Sequence, residues 1–135
     1  AFCFVEIDMT ASELQALRKF LMLDIPEAAR IIGGVSERTW RYWEAGRSPV
    51  PVDVEDKLTG MLSERQRVIE QYEAEAMTHC ESPVDEEAER LQLPYYPTLE
   101  AYQSKHQQAG ALMWRCYQSA VAELYANNLI GLTNG

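Results

Sequence analysis

Between Ser36 and Arg47 the chain reads SERTWRYWEAGR, and this stretch gathers the side chains best suited to chemistry. At about 100° per residue, Arg38, Arg41, Tyr42 and Ala45 cluster within about 100° on one side of a helix, flanked by Glu37. Trp40 and Trp43 lie about 60° apart on the other side. An arginine can donate two parallel hydrogen bonds to the O6 and N7 of guanine, a carboxylate can accept from cytosine N4, and a tyrosine ring can touch a thymine methyl or a phosphate. The short Ala45 would keep such a helix close to a duplex. One face therefore reads as core and the other as a reading surface, with Ser36, Glu37, Arg38, Arg41, Tyr42 and Arg47 as the candidate double-stranded DNA contacts. The plain alternative is that these side chains merely solvate an outer helix face, as most exposed arginines and tyrosines do. Their place beside a glycine turn and an N-cap favours the reading surface.

Other chemistries lack parts. There is no HExxH, GxSxG or phosphate loop, and neither Cys80 beside His79 nor Cys116 after His106 has a recognisable third group. No enzyme and no catalytic residue is expected. Cys3, Cys80 and Cys116 are odd in number, widely spaced and without a CxxC, so neither a disulfide framework nor a metal or cofactor site is expected.

The elements that must position the reading face are legible as helices. Thr10-x-x-Glu13 is a capping box, followed by Leu14, Leu17 and Leu21 at helical spacing to an end near Leu23. Asp24-x-x-Glu27 opens a second helix that tolerates Pro26 in its first turn and carries Ile25, Ala28, Ala29 and Ile32 inward. Gly33-Gly34 stops it. Ser36 then caps a third helix running to Ala45-Gly46, where Gly46 can take the left-handed conformation. Three short helices with a glycine turn before the last make a helix-turn-helix candidate. Ser48-Pro49-Val50-Pro51 is an extended connector, a long helix begins at Asp53, and Leu91 to Tyr96 reads as one short strand. Thr98 caps a short helix, and Ala111 to Asn127 forms a last amphipathic one.

The 135 residues, 47% hydrophobic and 24% charged, suit one compact domain with a small appendage. No apolar run approaches the roughly 18 residues needed to span a bilayer, so no membrane partner and a cytoplasmic location are expected. The net charge of −9 argues at first against a nucleic-acid partner. The charge is segregated, however: residues 10 to 50 carry +1 and the remainder −10. The acidic run Asp85 to Glu89 reads as a solvated loop, or in an adaptor protein as a grip for a basic partner.

Residues Asp24 to Pro51, DIPEAARIIGGVSERTWRYWEAGRSPVP, resemble the helix-turn-helix of the lambda-repressor-like (Xre) class through Ala29, Gly33 and Glu44-Ala45-Gly46-Arg47. The stretch MTASELQALRKFLMLDIPEAA, with RTWRYWEAGRSPVP and the late WRCYQSAVAELY, is similar to the YdiL-like proteins and the anti-CRISPR-associated (Aca) regulators over residues 9 to 130. The resemblance implies a homodimer that binds an inverted repeat, and in the Aca branch a repressor of its own operon that also binds transcript RNA. It further implies that Arg38, second in the recognition helix, is central to nucleic-acid contact. Gly33-Gly34 departs from the ordinary Xre turn by one extra residue.

The expected architecture is thus all-α, with one short strand. Residues 1–8 form an extension, either a tag or upstream residues, although an edge strand is the alternative; 9–51 form the DNA-binding domain and 52–135 a helical dimerisation region. Trp114, Tyr117, Val121, Leu124 and Tyr125 on the last helix are the expected contacts with a second copy. The rival reading is an antitoxin-like adaptor, which heparin or random DNA would not retain at low salt.

Overall fold

The computed structural model describes residues 9–81 and 90–135, with the side chains of Cys80 and Glu81 excepted. The expectations for residues 1–8, for Cys3 and Cys80, and for the acidic run Asp85 to Glu89 lie outside the described residues. Among the described residues the order is α1 (Ala11–Phe20), α2 (Ile25–Glu27), a π-helix (Ala28–Gly33), α3 (Glu37–Glu44), α4 (Val52–Glu81), β1 (Gln92–Tyr95), α5 (Leu99–Gln103), α6 (Ala111–Ala126) and β2 (Gly131–Asn134). The protein is therefore mostly helical, and among the described residues it has a single small two-stranded sheet. No helix of the described residues is long and apolar enough to cross a membrane.

By its internal contacts the chain divides into two compact units, the first ending at Gly60 and the second running Met61–Gly135. The length of α4 gives the reason. Thirty helical residues extend about 45 Å, more than one small core can cover.

In the first unit the capping box forms in full, with the Glu13 amide donating to Thr10 Oγ1 at 3.1 Å and the Thr10 amide to Glu13 Oε1 at 2.8 Å. Helix α1 stops at Phe20, three residues before the expected end, and Met22 takes a left-handed φ of 62°. Asp24 caps α2 by accepting from the Glu27 amide at 2.7 Å. Leu14, Leu21, Ala28, Ile32, Trp40, Val54 and Leu58 are fully or almost fully buried, so the start of α4 belongs to this core.

The extra glycine-turn residue is absorbed by winding. From Ala28 to Gly33 the backbone is π-helical, and the Gly34 and Val35 amides both donate to the Ala29 carbonyl. The two glycines serve different ends. Gly34 is left-handed, with φ 62° and open space around it. At Gly33 a Cβ would sit 3.0 Å from Val35 and 3.1 Å from the Trp43 ring, so its lack of a side chain lets the tryptophans close on the turn. Lys57 Nζ donates to the Ile32 carbonyl at 3.2 Å, supplying a cation at the end of the π-helix.

The second unit is built around α6. Val68, Ile69 and Ala76 of α4, Leu93 of β1, and Tyr96 and Tyr102 share one core with Trp114, Tyr117, Ala120, Val121 and Leu124 of α6 and with Ile130. Tyrosine rings pack tilted or edge-on, Tyr117 lying 5.7 Å from both Tyr96 and Tyr102. Their hydroxyl and indole groups find backbone partners: Tyr117 Oη donates to the Pro94 carbonyl at 2.5 Å and Trp114 Nε1 to the Tyr96 carbonyl at 2.8 Å. Buried Arg65 ties α4 to α6, donating to Ser119 Oγ at 3.1 Å and to Glu123 Oε1 at 3.2 Å. The expected strand is present as β1, and it is not alone. β2 pairs with it in parallel, Leu93 opposite Leu132, through a crossover containing α5 and α6.

This core decides where the expected dimer contacts lie. Trp114, Tyr117, Val121 and Leu124 are buried within the unit, so their apolar area is already covered by the chain itself. Tyr125 alone of the five faces outward, 53% exposed.

Candidate nucleic-acid interface

Helix α3 is short, and its ends are defined by side chains. Ser36 Oγ accepts from the Thr39 amide at 3.2 Å and shares a 3.1 Å hydrogen bond with Thr39 Oγ1, so its hydroxyl is engaged in capping. At the other end Gly46 takes φ 75°, and the Arg47 amide turns back to donate to the Tyr42 carbonyl at 2.9 Å.

The inward face is Trp40, fully buried, and Trp43, 6% exposed, with ring centroids 5.4 Å apart. A buried ion pair locks this face. Arg18 Nε donates to Glu44 Oε2 at 2.7 Å and its Nη2 to Oε1 at 3.1 Å, while Trp40 Nε1 also donates to Glu44 Oε2. The third Arg18 contact, Nη1 to the Leu23 carbonyl at 3.0 Å, satisfies the chain just after α1. Burial pushes the Glu44 carboxyl up, but the hydrogen bonds from Arg18 and Trp40 and the Arg18 charge outweigh it and hold the group below the usual carboxylate range. Arg18 is thus a structural cation, not one available to a ligand. Its partner is 26 residues away, and no local pattern announces such a pair.

The outward face carries the residues expected to read a ligand. Arg38, Arg41 and Arg47 are exposed, as are Ser36 and Glu37, and Tyr42 is half-buried between them. Arg38 Nε donates to Tyr42 Oη at 2.7 Å. The guanidinium carbons of Arg38 and Arg47 each lie 5.4 Å from the Tyr42 ring centroid. Arg41 leans instead on Glu37, one turn back, at 3.7 Å, with both side chains more than half exposed. Such a pair is worth little in water and opens readily to a third group. The face therefore holds a Tyr42-centred array of two cations beside a loose Glu37–Arg41 pair.

Arg30 stands outside the expected set of contacts. The structure places it, exposed, in a groove of about 480 Å³ shared with Asp24, Glu27, Ser36 and Glu37. Its signal was available: it is a polar position between the buried pair Ala28–Ala29 and buried Ile32.

Residues 9–132 match the Aca2/YdiL-like family. The chain is similar to the Aca2 repressor of Pectobacterium phage ZF40, with 41% identity over 117 residues, covering 87% of this chain and 93% of that protein. It is also similar to the uncharacterized protein YdiL of Escherichia coli strain K12, with 30% identity over 125 residues covering 90% and 97%.

Proposed function

The chain belongs to the Aca2/YdiL-like family, and from that premise we propose that it is a sequence-specific DNA-binding repressor acting as a homodimer in the cytoplasm. The observation that carries the proposal is the polarity of α3: a tryptophan pair sealed on one side, and exposed Arg38, Arg41 and Arg47 around Tyr42 on the other. A helix so anchored can enter a major groove, with Arg38 donating to guanine and the Glu37–Arg41 pair opening toward bases or phosphates. The name of the phage relative supports a regulatory role over an enzymatic one.

Residues 9–51 then form the DNA-contacting part, and residues 52–135 carry the dimer contacts, with Tyr125 the exposed member of the expected set. A two-fold dimer reads an inverted repeat whose half-sites are about 34 to 36 Å apart or a multiple of that, and repression is steric exclusion of polymerase from the promoter.

Selection from a random pool of DNA duplexes tests the reading. The expected winner is a palindrome, and Arg38→Ala is expected to weaken its binding by about 1 to 3 kcal/mol per half-site while circular dichroism stays helical. Retention of binding within twofold by that variant refutes the assignment. A parallel selection in which structured RNA outcompetes the duplex moves the same face to a different ligand.

A further inference from the structure

Resting on the DNA-reading role above, we infer that Tyr42 is a positioning residue that aligns Arg38 and Arg47 before any ligand arrives. Two arginines five and four residues from this tyrosine would not ordinarily share it. On a continuing helix a residue at i+5 lies about 140° around the axis. The left-handed Gly46 reverses the chain instead, and the Arg47 amide bonds back to the Tyr42 carbonyl. The Arg47 guanidinium thereby reaches the ring that Arg38 approaches from one turn before.

Two consequences follow from the chemistry. An unrestrained arginine loses rotamer freedom on binding, which weakens affinity by about two- to twelvefold per side chain, and restraint in the free protein removes part of that loss. The hydrogen bond also selects a binding mode. A guanidinium can present the edge formed by Nε and one terminal nitrogen, or the end formed by the two terminal nitrogens. With Nε of Arg38 held by Tyr42 Oη, the end carrying Nη1 and Nη2 is left for the O6 and N7 of guanine. Tyr42 then governs guanine preference without touching the base.

The test uses the full chain and the duplex that wild-type protein selects from a random pool. Tyr42→Phe keeps the ring and removes the hydroxyl. It is expected to weaken binding about three- to tenfold, with the loss concentrated in discrimination at the guanine that Arg38→Ala also affects. In the Arg38→Ala background the same change is expected to do less than twofold, because its route is gone. Losses that multiply independently in the double variant overturn the positioning role and make Tyr42 a direct contact. In the free protein, the Arg38 Nε proton is expected to exchange with water more slowly in wild type than in Tyr42→Phe by NMR. Equal exchange also overturns the proposal. If wild type selects no sequence, the repressor reading fails, and the exchange measurement still decides whether Tyr42 holds the arginine.

Discussion

Glu44 shows how much one side chain can carry. Its carboxylate receives Arg18 and Trp40 together, and both members of the ion pair are nearly sealed from water. Breaking such a pair by removing one partner strands the other charge, so Arg18→Met is expected to destabilise the first unit by about 3 to 5 kcal/mol in chemical denaturation. The pH dependence has a definite sign. A carboxyl depressed in the folded state contributes stability that is fully present above its unfolded value of about 4.3 and is lost as pH falls through the lower folded value. The difference in stability between wild type and Glu44→Gln is therefore expected to be largest at neutral pH and to shrink below about pH 4. A constant difference from pH 7 to pH 3 contradicts the assignment. Cys116 gives a second check at this scale. Burial raises its thiol to about 11, and the neighbouring Glu64 charge acts in the same direction, so in a Cys3→Ser, Cys80→Ser background it is expected to resist disulfide reagents at pH 8 until the protein unfolds.

At the scale of elements, α3 is too short to be stable alone, and its helicity is borrowed from the surface it covers. The Trp40–Trp43 pair supplies that surface, and the π-helical turn with Gly33 lets it close. Trp43→Ala is expected to lower stability by about 3 to 5 kcal/mol, so loss of DNA binding should accompany a lower melting temperature. An unchanged melting temperature with lost binding would place the ring on the nucleic acid. Gly33→Ala tests the turn itself. Its added methyl meets Val35 and both tryptophans at 3.0 to 3.3 Å, for an expected loss of about 1 to 3 kcal/mol. The cause at Gly34 is different, since backbone strain alone is at stake, and Gly34→Asn is expected to be tolerated better than Gly34→Ala.

For the whole molecule, charge and assembly set the kind of binding available. A net charge of −9 opposes approach to a polyanion, so random duplex is expected to bind weakly, with a Kd of about 10⁻⁴ M at physiological salt, while a selected palindrome survives the same salt. Filter binding over a salt series separates the two. Assembly calls for different variants from those an apolar stripe alone suggests. Trp114→Ala is expected to unfold the second unit, because Trp114 is core and its indole holds the Tyr96 carbonyl. Tyr125→Asp is expected to keep the fold and weaken the dimer, as read by circular dichroism and light scattering. A Tyr125→Asp protein that remains fully dimeric at micromolar concentration moves the interface elsewhere.

Features that depend on neighbours along the chain were legible from residue types and spacing. Thr10, Asp24, Ser36 and Thr98 each cap the helix expected of them, because capping closes over three residues. The inward pair Trp40 and Trp43 was equally legible, since an eight-residue helix with two tryptophans three apart has one way to bury them. What joins distant segments was not. Nothing near Arg18 in the chain marks its pairing with Glu44, 26 residues away, and β2 has no signal of its own because a four-residue strand is made by its partner. The apolar stripe of α6 calls for cover, and a second copy is the expected one. Periodicity reports that a face must be buried but not by what, and the folded chain covers it with β1, the tyrosines and α4.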